Sequence, residues 1–413
     1  MRLMNSNNRI IKNILSLYGL SIAKIILPLL TLPYLTRVLS VDCYGVVAYV
    51  KAVMQYMQLT VDFGFMLSGT KDIVEARDNK EKLEQEIGDI LVARIILALI
   101  GLMVLLLMIV VLPILRSNAS YTLLSYATVF LSVFLFDYYF RGIEKMQVLT
   151  IRFVIMRGIA TLLTIAFVKS DADILFIPLF DLIGSFLAGG LVCYELRKAS
   201  VSIKFTGIKI AIGKLKESFI YFASDMATTA FGVLNTLLIG AFLPVMEVAY
   251  WSVSMQLIGA VQTMYTPITG GIYPNMIKTK SFSFIKRLLL IFMPVIFIGS
   301  AFSYFVAPYV LLIVGGEQYL AAQDLFRWVL PILIFSFPAM VLGWPTLGAL
   351  DKAKQVTKTT VLSAIVQVLS LLLLLAIGYF NILWIAVSRC ITEFVLMLSR
   401  GAYCWKYRNE FNE

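Results

Sequence analysis

The sequence has no histidine among its 413 residues, which excludes histidine-based catalysis, proton relays and metal ligation. Charged residues make up 14% of the chain, whereas a soluble domain has about 25%. The four cysteines, at positions 43, 193, 390 and 404, show no paired spacing that would indicate a metal or redox site. We interpret them as isolated thiols in apolar segments.

Sequence motifs for nucleotide-driven transport and for hydrolysis are also absent. The P-loop pattern G-x-x-x-x-G-K-[ST] does not occur, and GIKIAIGK at 207–214 has the wrong spacing and lacks the final Ser or Thr. Neither an H-E-x-x-H motif nor a nucleophile elbow is found. We therefore predict a protein that is not an enzyme and that uses no cofactor and no metal.

Long apolar runs dominate the chain, 60% of which is hydrophobic. The runs are about 20 residues long, which is the length a helix needs to cross the hydrocarbon core of a bilayer. This pattern predicts an all-α polytopic membrane protein with about 12 transmembrane helices. The predicted spans are 13–38, 44–67, 90–113, 121–140, 149–168, 174–196, 218–242, 249–272, 288–313, 326–347, 359–379 and 382–404.

The basic residues predict how these spans are oriented. In the predicted topology, most of the 35 Lys and Arg residues, including Arg152 and Arg400, lie on the same side of the membrane as the N-terminus. The positive-inside rule then places both termini in the cytoplasm. The net charge of +11 thus reflects topology and attraction to anionic lipid, with no need for nucleic acid as a partner. The loops predicted outside are too short for an extracellular domain.

Two pairs of similar segments indicate an internal repeat. LSVDCYGVVAYVKAVMQ (39–55) resembles LPVMEVAYWSVSMQ (243–256), and RGIEKMQVLT (141–150) resembles GALDKAKQVT (348–357). The offsets are nearly equal, which predicts two parallel six-helix lobes. The predicted domains are an N-terminal lobe (1–197), a linker (198–217) and a C-terminal lobe (218–413). The linker is either an amphipathic segment on the cytoplasmic membrane surface or an ordinary basic loop.

Basic residues inside predicted spans are the main candidates for function, because charge within a bilayer is costly. Lys24 and Lys51 lie at depth in adjacent spans with no acid one helical turn away, which favours a role in a polar cavity. Arg157 and Arg389 lie deep in later spans. A cavity lined by such residues would attract an anionic substrate, phosphate above all.

The acids within spans have several possible roles. Arg389 and Glu393 are one turn apart and can form a structural ion pair. Asp225, Glu393 and Asp181 are candidates for ion pairing or for binding a coupling ion, and Asp225 could instead face Lys24. Three further charged residues near the inner interface are expected to snorkel, and one of them, Asp137, is expected to pair with Arg141. Those three residues are Arg94, Asp62 and Asp137.

The chain resembles the Wzx-type oligosaccharide-lipid flippases, a polysaccharide transporter family within the MATE-like multidrug/oligosaccharidyl-lipid/polysaccharide (MOP) superfamily. The resemblance covers essentially the whole chain in family order. The chain departs from the family at position 141, where it has Arg and the family commonly has Gln. The segments that carry it are LPLLTLPYLTRVLSVDCYGVVAY (27–49), VDFGFMLSGTKDI (61–73), FDYYFRGIEKMQVLTIRFVIMR (136–157), GGIYPNM (270–276) and LGWPTLGALDKAK (342–354).

This resemblance implies two six-helix lobes around a cationic cavity that opens to one side of the membrane at a time. It implies flipping of an undecaprenyl-pyrophosphate-linked oligosaccharide repeat unit of the O-antigen or capsule type to the outer leaflet of the bacterial cytoplasmic (inner) membrane. Related flippases hold the pyrophosphate with basic residues of their first two helices, so the resemblance implies this role for Lys24 and Lys51. Polysaccharide polymerase or assembly proteins are possible partners.

Two other functions stay open at this point. A repeat-unit polymerase would be a membrane enzyme with a long outer loop carrying catalytic Arg or His, and the predicted topology has no such loop. A multidrug or cation antiporter of the same fold should have mostly acids at depth. Here the deep bases are at least as numerous as the acids.

Overall fold

The structure is a computed structural model in which nearly all of the described chain is helical. It describes residues 2–412, with side chains described for 19–412 except those of 224, 227, 228, 230 and 231. Within these ranges no β-strand occurs, and one isolated bridge joins Ser281 to Asn412. The predicted all-α class is confirmed.

The chain divides into two compact units, residues 1–226 and 227–413, which we call unit 1 and unit 2. The boundary falls within one long helix, so that its first part belongs to unit 1 and its last part to unit 2. The lobes predicted from the sequence, with their linker over 198–217, remain predictions.

The described part of unit 1 holds nine complete helices and the start of a tenth. They are α1 (Arg2–Val38), α2 (Val41–Asp62), α3 (Ser68–Ala76), α4 (Lys80–Val111), α5 (Pro113–Ser117), α6 (Ala119–Ser132), α7 (Asp137–Gly142), α8 (Met146–Phe167), α9 (Phe176–Lys198) and α10 (Ile208–Phe242). Their packing follows the order of the chain only in part, since α1 packs against α8 and α6 against α9.

The described part of unit 2 continues from the end of α10 with six more helices. They are α11 (Val245–Thr279), α12 (Phe282–Gly315), α13 (Gln323–Val329), α14 (Pro331–Val341), α15 (Ala353–Ala376) and α16 (Ile382–Lys406). Helix α16 packs against both α14 and α15.

Short polar side chains fix where several of these helices begin. The Ser40 hydroxyl accepts a hydrogen bond from the Cys43 amide at 3.2 Å, and Asn79 Oδ1 accepts one from the Lys82 amide at 3.1 Å. Asn381 Oδ1 does the same for the Trp384 amide at 3.0 Å. Each cap satisfies a donor that the first helical turn leaves open.

Within the described residues, nine helical segments are long and apolar enough to cross a membrane. The other three predicted spans fall on α2, α10 and α11, which are 22, 35 and 35 residues long. The nine segments are Gly19–Val38, Lys80–Val111, Ala119–Gly142, Met146–Phe167, Asp171–Lys198, Phe282–Gly315, Pro331–Leu350, Ala353–Ala376 and Ile382–Lys406.

The internal repeat is visible in the local backbone geometry. Glu144 and Asp351, which the repeat aligns, both adopt the left-handed conformation with φ of 59°. The next residue in each unit closes the same turn, since the Lys145 amide donates to Phe140 O at 2.8 Å and the Lys352 amide to Leu347 O at 2.9 Å. The two segments thus share a turn as well as a sequence pattern.

Both units interrupt a membrane helix just before this turn. In unit 1 the left-handed residue Phe136, with φ of 47°, separates α6 and its last 3₁₀ turn from α7. In unit 2 the stretch Leu342–Leu347 follows α14 with non-helical dihedral angles at Gly343. Such breaks free carbonyl oxygens, which must find other donors because lipid supplies none.

Residues 201–207 between α9 and α10 are not helical and lie against the first turns of α4. The Lys204 amide donates to Glu84 O at 3.1 Å, and the Ser202 amide donates to Glu84 Oε1 at 3.0 Å. Gly88 permits this approach, because a Cβ atom there would lie 2.1 Å from Lys204 O. The segment is thus tied to unit 1 through its backbone.

Two lysines strengthen this contact. The hydrogen bond to Glu84 raises the pKa of Lys204, whose ammonium lies 3.0 Å from the carboxylate. Burial alone would lower the pKa of Lys214, but its bonds to Asp72 (2.8 Å) and Glu86 (2.6 Å) outweigh burial and leave the pKa raised. Both lysines are therefore held in their charged form.

Candidate functional site

Lys24, the basic residue at mid-depth of the first predicted span, lies on α1 where this helix packs against α8. Its ammonium nitrogen is 5.7 Å from the ring centroid of Phe153, close enough for a cation–π attraction. The side chain is exposed, and the described residues give it no carboxylate partner. Lys24 therefore presents an accessible positive charge.

Asp137 and Arg152 join α7 to α8. Arg152 Nη2 lies 2.9 Å from Asp137 Oδ2, and Arg152 Nη1 contacts the other carboxylate oxygen, so the pair is bidentate. Nη1 also donates to Leu135 O at 3.2 Å, one of the oxygens freed at the helix break. The predicted pair of Asp137 with Arg141 is wrong, because the guanidinium from α8 takes both carboxylate oxygens.

Arg141 lies half-buried near the end of the six-residue helix α7, and the described residues offer it no carboxylate. Both Arg141 and Arg152 are close enough to Lys24 for repulsion between the charges to be felt. We call Lys24, Arg141, Arg152 and Asp137 the α7 cluster. Among these side chains three cations face one carboxylate, so the cluster carries excess positive charge.

A second group of charges joins α2, α8 and α9. Arg157 Nη1 lies 2.8 Å from Asp181 Oδ1, which links α8 to α9. Lys51 on α2 is exposed and lies within electrostatic range of both residues of this pair. We call Lys51, Arg157 and Asp181 the α9 cluster. Three of the predicted site residues thus lie together, and the Asp181 carboxylate balances part of the positive charge of Lys51 and Arg157.

Arg94 and Asp62 form a further pair beside the α7 cluster. Arg94 Nη2 lies 2.8 Å from Asp62 Oδ1, and Nη1 donates to Val133 O at 3.2 Å. Arg94 is only 4% exposed, so the prediction that it simply snorkels is wrong. Asp225, another predicted residue, lies within electrostatic range of Asp62 and therefore near this pair.

In unit 2 the predicted pair of Arg389 and Glu393 forms on α16. Arg389 Nη2 lies 2.6 Å from Glu393 Oε1, as the spacing of four residues predicted. Both side chains are buried, with 5% and 6% exposed. Neither is therefore accessible to a large solute in this structure, in contrast to Lys24 and Lys51. The substrate role predicted for Arg389 stays a prediction.

A neutral polar network adjoins this pair, since one of its members, Ser388, directly precedes Arg389. Gln367 Nε2 on α15 donates to Asn235 Oδ1 at 3.0 Å and to the Ser388 hydroxyl at 3.2 Å. All three side chains are buried. Such hydrogen bonds between helices satisfy polar groups that lipid cannot.

Two arginines with structural roles were missed by the sequence analysis, which counts Arg152 and Arg400 among the cytoplasmic basic residues. The structure buries both, with 7% and 8% exposed. Arg400 donates to Ala339 O at 2.6 Å and to the Thr360 hydroxyl at 3.1 Å. A signal was present, since each arginine falls three or four residues inside a predicted span.

In the part of the chain with described side chains, no group of three or more Cys, Asp or Glu residues could hold a metal ion. The carboxylates of both clusters face arginine instead. Among their described side chains, both clusters therefore hold more cations than carboxylates.

Comparison with known proteins shows the family to which this chain belongs. The sequence model of the polysaccharide biosynthesis protein family matches residues 10–280. A protein of Shigella dysenteriae named as an O-antigen transporter is 27% identical over 405 residues, covering 94% of this chain and 98% of that protein. A protein of Escherichia coli (strain K12) with the same name is 26% identical over 309 residues, covering 73% and 74%.

Solved structures share the fold at low sequence identity. The lipid II flippase MurJ in an inward closed conformation matches with a TM-score of 0.73 and 12% identity, over 96% of this chain and 87% of that one. An inward-facing multidrug resistance transporter of the MATE family, in the MOP superfamily, matches with a TM-score of 0.65 and 14% identity, over 95% and 99%. The chain has the all-α polytopic fold of these membrane transporters, as predicted.

Proposed function

We propose, from the premise that this chain belongs to the polysaccharide biosynthesis protein family, that it is a flippase for a lipid-linked oligosaccharide. It would move an undecaprenyl-pyrophosphate-linked repeat unit from the cytoplasmic to the outer leaflet by alternating access. A cationic cavity would hold the anionic head group. The protein would lie in the bacterial cytoplasmic membrane with both termini inside, and its activity would be transport without a chemical step.

The observation that carries this proposal is accessible positive charge within membrane helices of unit 1. Lys24 and Lys51 are both exposed, although they lie on segments α1 and α2 that fall in predicted spans. Uncompensated charge at membrane depth is costly and is retained where it serves a substrate or ion pathway. Attraction between a cation and a phosphate strengthens as the surroundings become less polar.

The proposal gives separate roles to the predicted residues. Lys24 and Lys51 would contact the pyrophosphate, and Arg157 would extend the cationic surface from the α9 cluster. Arg389 would contribute only if its pair with Glu393 opens, since both are buried here. Asp181, Asp225 and Glu393 are the candidates for coupling transport to an ion.

The relatives support the class of substrate. Two of them are named as O-antigen transporters, and a structure with the same fold is that of a lipid II flippase. O-antigen and lipid II both point to a glycan carried on a lipid anchor. A polysaccharide polymerase or other assembly protein would then receive the flipped unit as a partner.

The test is replacement of both lysines in cells that depend on this protein for glycan export. Lys24→Ala with Lys51→Ala should abolish export while the protein accumulates in the membrane at its normal level. The matched control is Lys71→Ala with Lys80→Ala, which removes two exposed lysines that form helical ion pairs. Normal export by the Lys24/Lys51 double variant would disprove the site assignment.

Reconstitution separates this function from the antiporter of the same fold. Proteoliposomes that contain the purified protein should move a fluorescent undecaprenyl-pyrophosphate-linked sugar between leaflets and should leave a cationic dye in place. Transport of the dye alone would favour a multidrug or cation antiporter and would refute the proposed flippase.

A further inference from the structure

We propose that Arg141 and Lys24 together form the site that grips the diphosphate of the lipid-linked substrate, with Arg141 supplying the bidentate contact. This inference rests on the proposed function, and it adds a residue that neither the family match nor the sequence analysis assigns to binding. The chemical class of ligand is a prenyl diphosphate.

The acids around the α7 cluster are paired with arginines other than Arg141. Asp137 is taken by Arg152 at 2.9 Å, and Asp62 is taken by Arg94 at 2.8 Å. Arg141 and Lys24 have no carboxylate partner among the described side chains. These two residues therefore carry the excess positive charge in this part of unit 1.

Packing at both ends of α7 holds the backbone of Arg141 in position. Helix α7 begins at Asp137, which the bidentate contact with Arg152 ties to α8. At its other end Gly142 is pressed against α3, since a Cβ atom there would lie 2.4 Å from Ile73 Cγ2. Arg141 thus projects from a short helix that is fixed at both ends.

Lys24 approaches the same region from α1. Its ammonium lies 5.7 Å from the ring of Phe153, the residue after Arg152. One turn before Phe153, α1 and α8 approach closely, because a Cβ atom on Gly19 would lie 3.7 Å from Thr150 Cγ2. From there, the Lys24 ammonium lies within electrostatic range of both Arg141 and Arg152.

The chemistry of the two side chains favours a diphosphate over a single carboxylate. A guanidinium offers two parallel N–H donors that match two oxygens of one phosphoryl group, and an ammonium acts as a compact charge for the neighbouring group. Repulsion among Lys24, Arg141 and Arg152 would be relieved by an anion with more than one charge. The Nε–H of Arg152 also lacks an acceptor among the described residues, so Asp137 does not saturate it.

The experiment measures binding of farnesyl diphosphate and farnesyl monophosphate to the full-length protein in nanodiscs of neutral lipid. Arg141→Gln should weaken diphosphate binding about tenfold, the effect of about 1.4 kcal/mol. It should weaken monophosphate binding much less, because only the diphosphate needs both cations. The matched control, Arg408→Gln, removes an exposed arginine that lies over the Trp405 ring and should leave both affinities unchanged.

Each outcome bears on a different claim. Equal diphosphate binding by the wild type and Arg141→Gln overturns the role of Arg141 and leaves the flippase proposal intact. No saturable diphosphate binding by the wild type overturns both. Arg141→Lys keeps the charge without the bidentate geometry and covers the case in which Arg141→Gln does not fold. It should lose severalfold in diphosphate affinity, and unchanged affinity in that variant contradicts the bidentate contact.

Discussion

The two units interrupt a membrane helix at matching points of the repeat, and each satisfies a freed carbonyl oxygen with an arginine from a later helix. In unit 1 this arginine is Arg152, which donates to Leu135 O and to the carboxylate of Asp137. In unit 2 it is Arg400, which donates to Ala339 O and to threonine hydroxyls of α15. One arginine is balanced by an acid and the other by neutral groups.

The surroundings of these arginines differ more than the arginines themselves. Lys24 lies within electrostatic range of both Arg152 and Arg141, and neither Lys24 nor Arg141 has an acidic partner among the described residues. Next to Arg400 lies the closed pair of Arg389 and Glu393, and both of its members are buried. A charge within a membrane helix is therefore not by itself a binding residue. Accessibility and the lack of a partner distinguish the functional candidates.

The largest loss of stability should come from breaking the ion pair between Arg389 and Glu393 in unit 2. Glu393→Ala leaves the buried Arg389 guanidinium without its carboxylate, which should cost about 3–5 kcal/mol in the free energy of unfolding. Replacing both partners, with Arg389→Met and Glu393→Leu, should restore stability. Thermal unfolding of the purified variants in detergent measures both effects.

The same double variant tests the substrate role predicted for Arg389. If the pair is structural, the restored protein should also transport. A double variant that folds with wild-type stability but exports no glycan would show instead that Arg389 acts on the substrate, and the contrast between the units would fail.

A somewhat smaller effect should distinguish the two arginines at the helix breaks. Arg400→Leu leaves Ala339 O without a donor and should cost about 1–3 kcal/mol of stability, with transport retained in the protein that folds. Arg152→Leu frees Asp137 to neutralise Arg141 or Lys24, so it should reduce transport more than stability. Export per folded molecule, measured beside thermal unfolding, separates the two. Equal losses of transport in both variants would contradict the assignment of the site to unit 1.

Within unit 1, the docking of residues 201–207 on α4 should depend on Gly88. Gly88→Ala places a methyl group where Lys204 O now lies and should cost about 1–3 kcal/mol, because backbone has to move. We expect faster proteolytic cleavage within 201–207 in the Gly88→Ala variant than in the wild type. Gly190→Ala on α9 is the matched control, since a Cβ atom there meets no other atom within 4 Å. Equal cleavage rates in the two variants would show that the close approach is unimportant.

The smallest effect is a pH dependence of the same contact. Because Glu84 raises the pKa of Lys204, the stabilisation is present below the ordinary lysine pKa of about 10.4 and is lost as pH rises through the higher folded value. Cleavage within 201–207 should thus accelerate above about pH 10.4 in the wild type. Lys204→Gln should cleave faster at neutral pH and respond less to the change. Lys352 in unit 2, with its pKa raised by Glu410, provides a parallel contact of the same sign.

Much of the fold could be predicted because a bilayer imposes strong local rules. Runs of about 20 apolar residues specify helices regardless of what they later pack against. The paired segments around Glu144 and Asp351 likewise predicted a repeat, and the backbone adopts the left-handed conformation at both positions. The start of α4 at Lys80 lies ten residues before its predicted span. It was harder to predict, because the stretch between is charged and does not look like part of a membrane helix.

The site was predictable only as a set of candidates. Lys24, Lys51 and Arg157 could be selected because a charge in an apolar run is conspicuous in any sequence. The partner of each charge could not be selected, because an arginine is long enough to reach several helices. Asp137 illustrates this, since Arg141 is its neighbour on the helix and Arg152 is its neighbour in space.

The sequence by itself determined that this chain is a polytopic helical membrane protein with a two-fold internal repeat and with basic residues at depth. These properties follow from composition and periodicity, which act over one or two helical turns. The tertiary structure alone decided which charges are neutralised. Pairing depends on distances between residues far apart in the chain, such as Arg94 and Asp62 or Arg157 and Asp181. Only the packing of α4 against α2 and of α8 against α9 sets those distances.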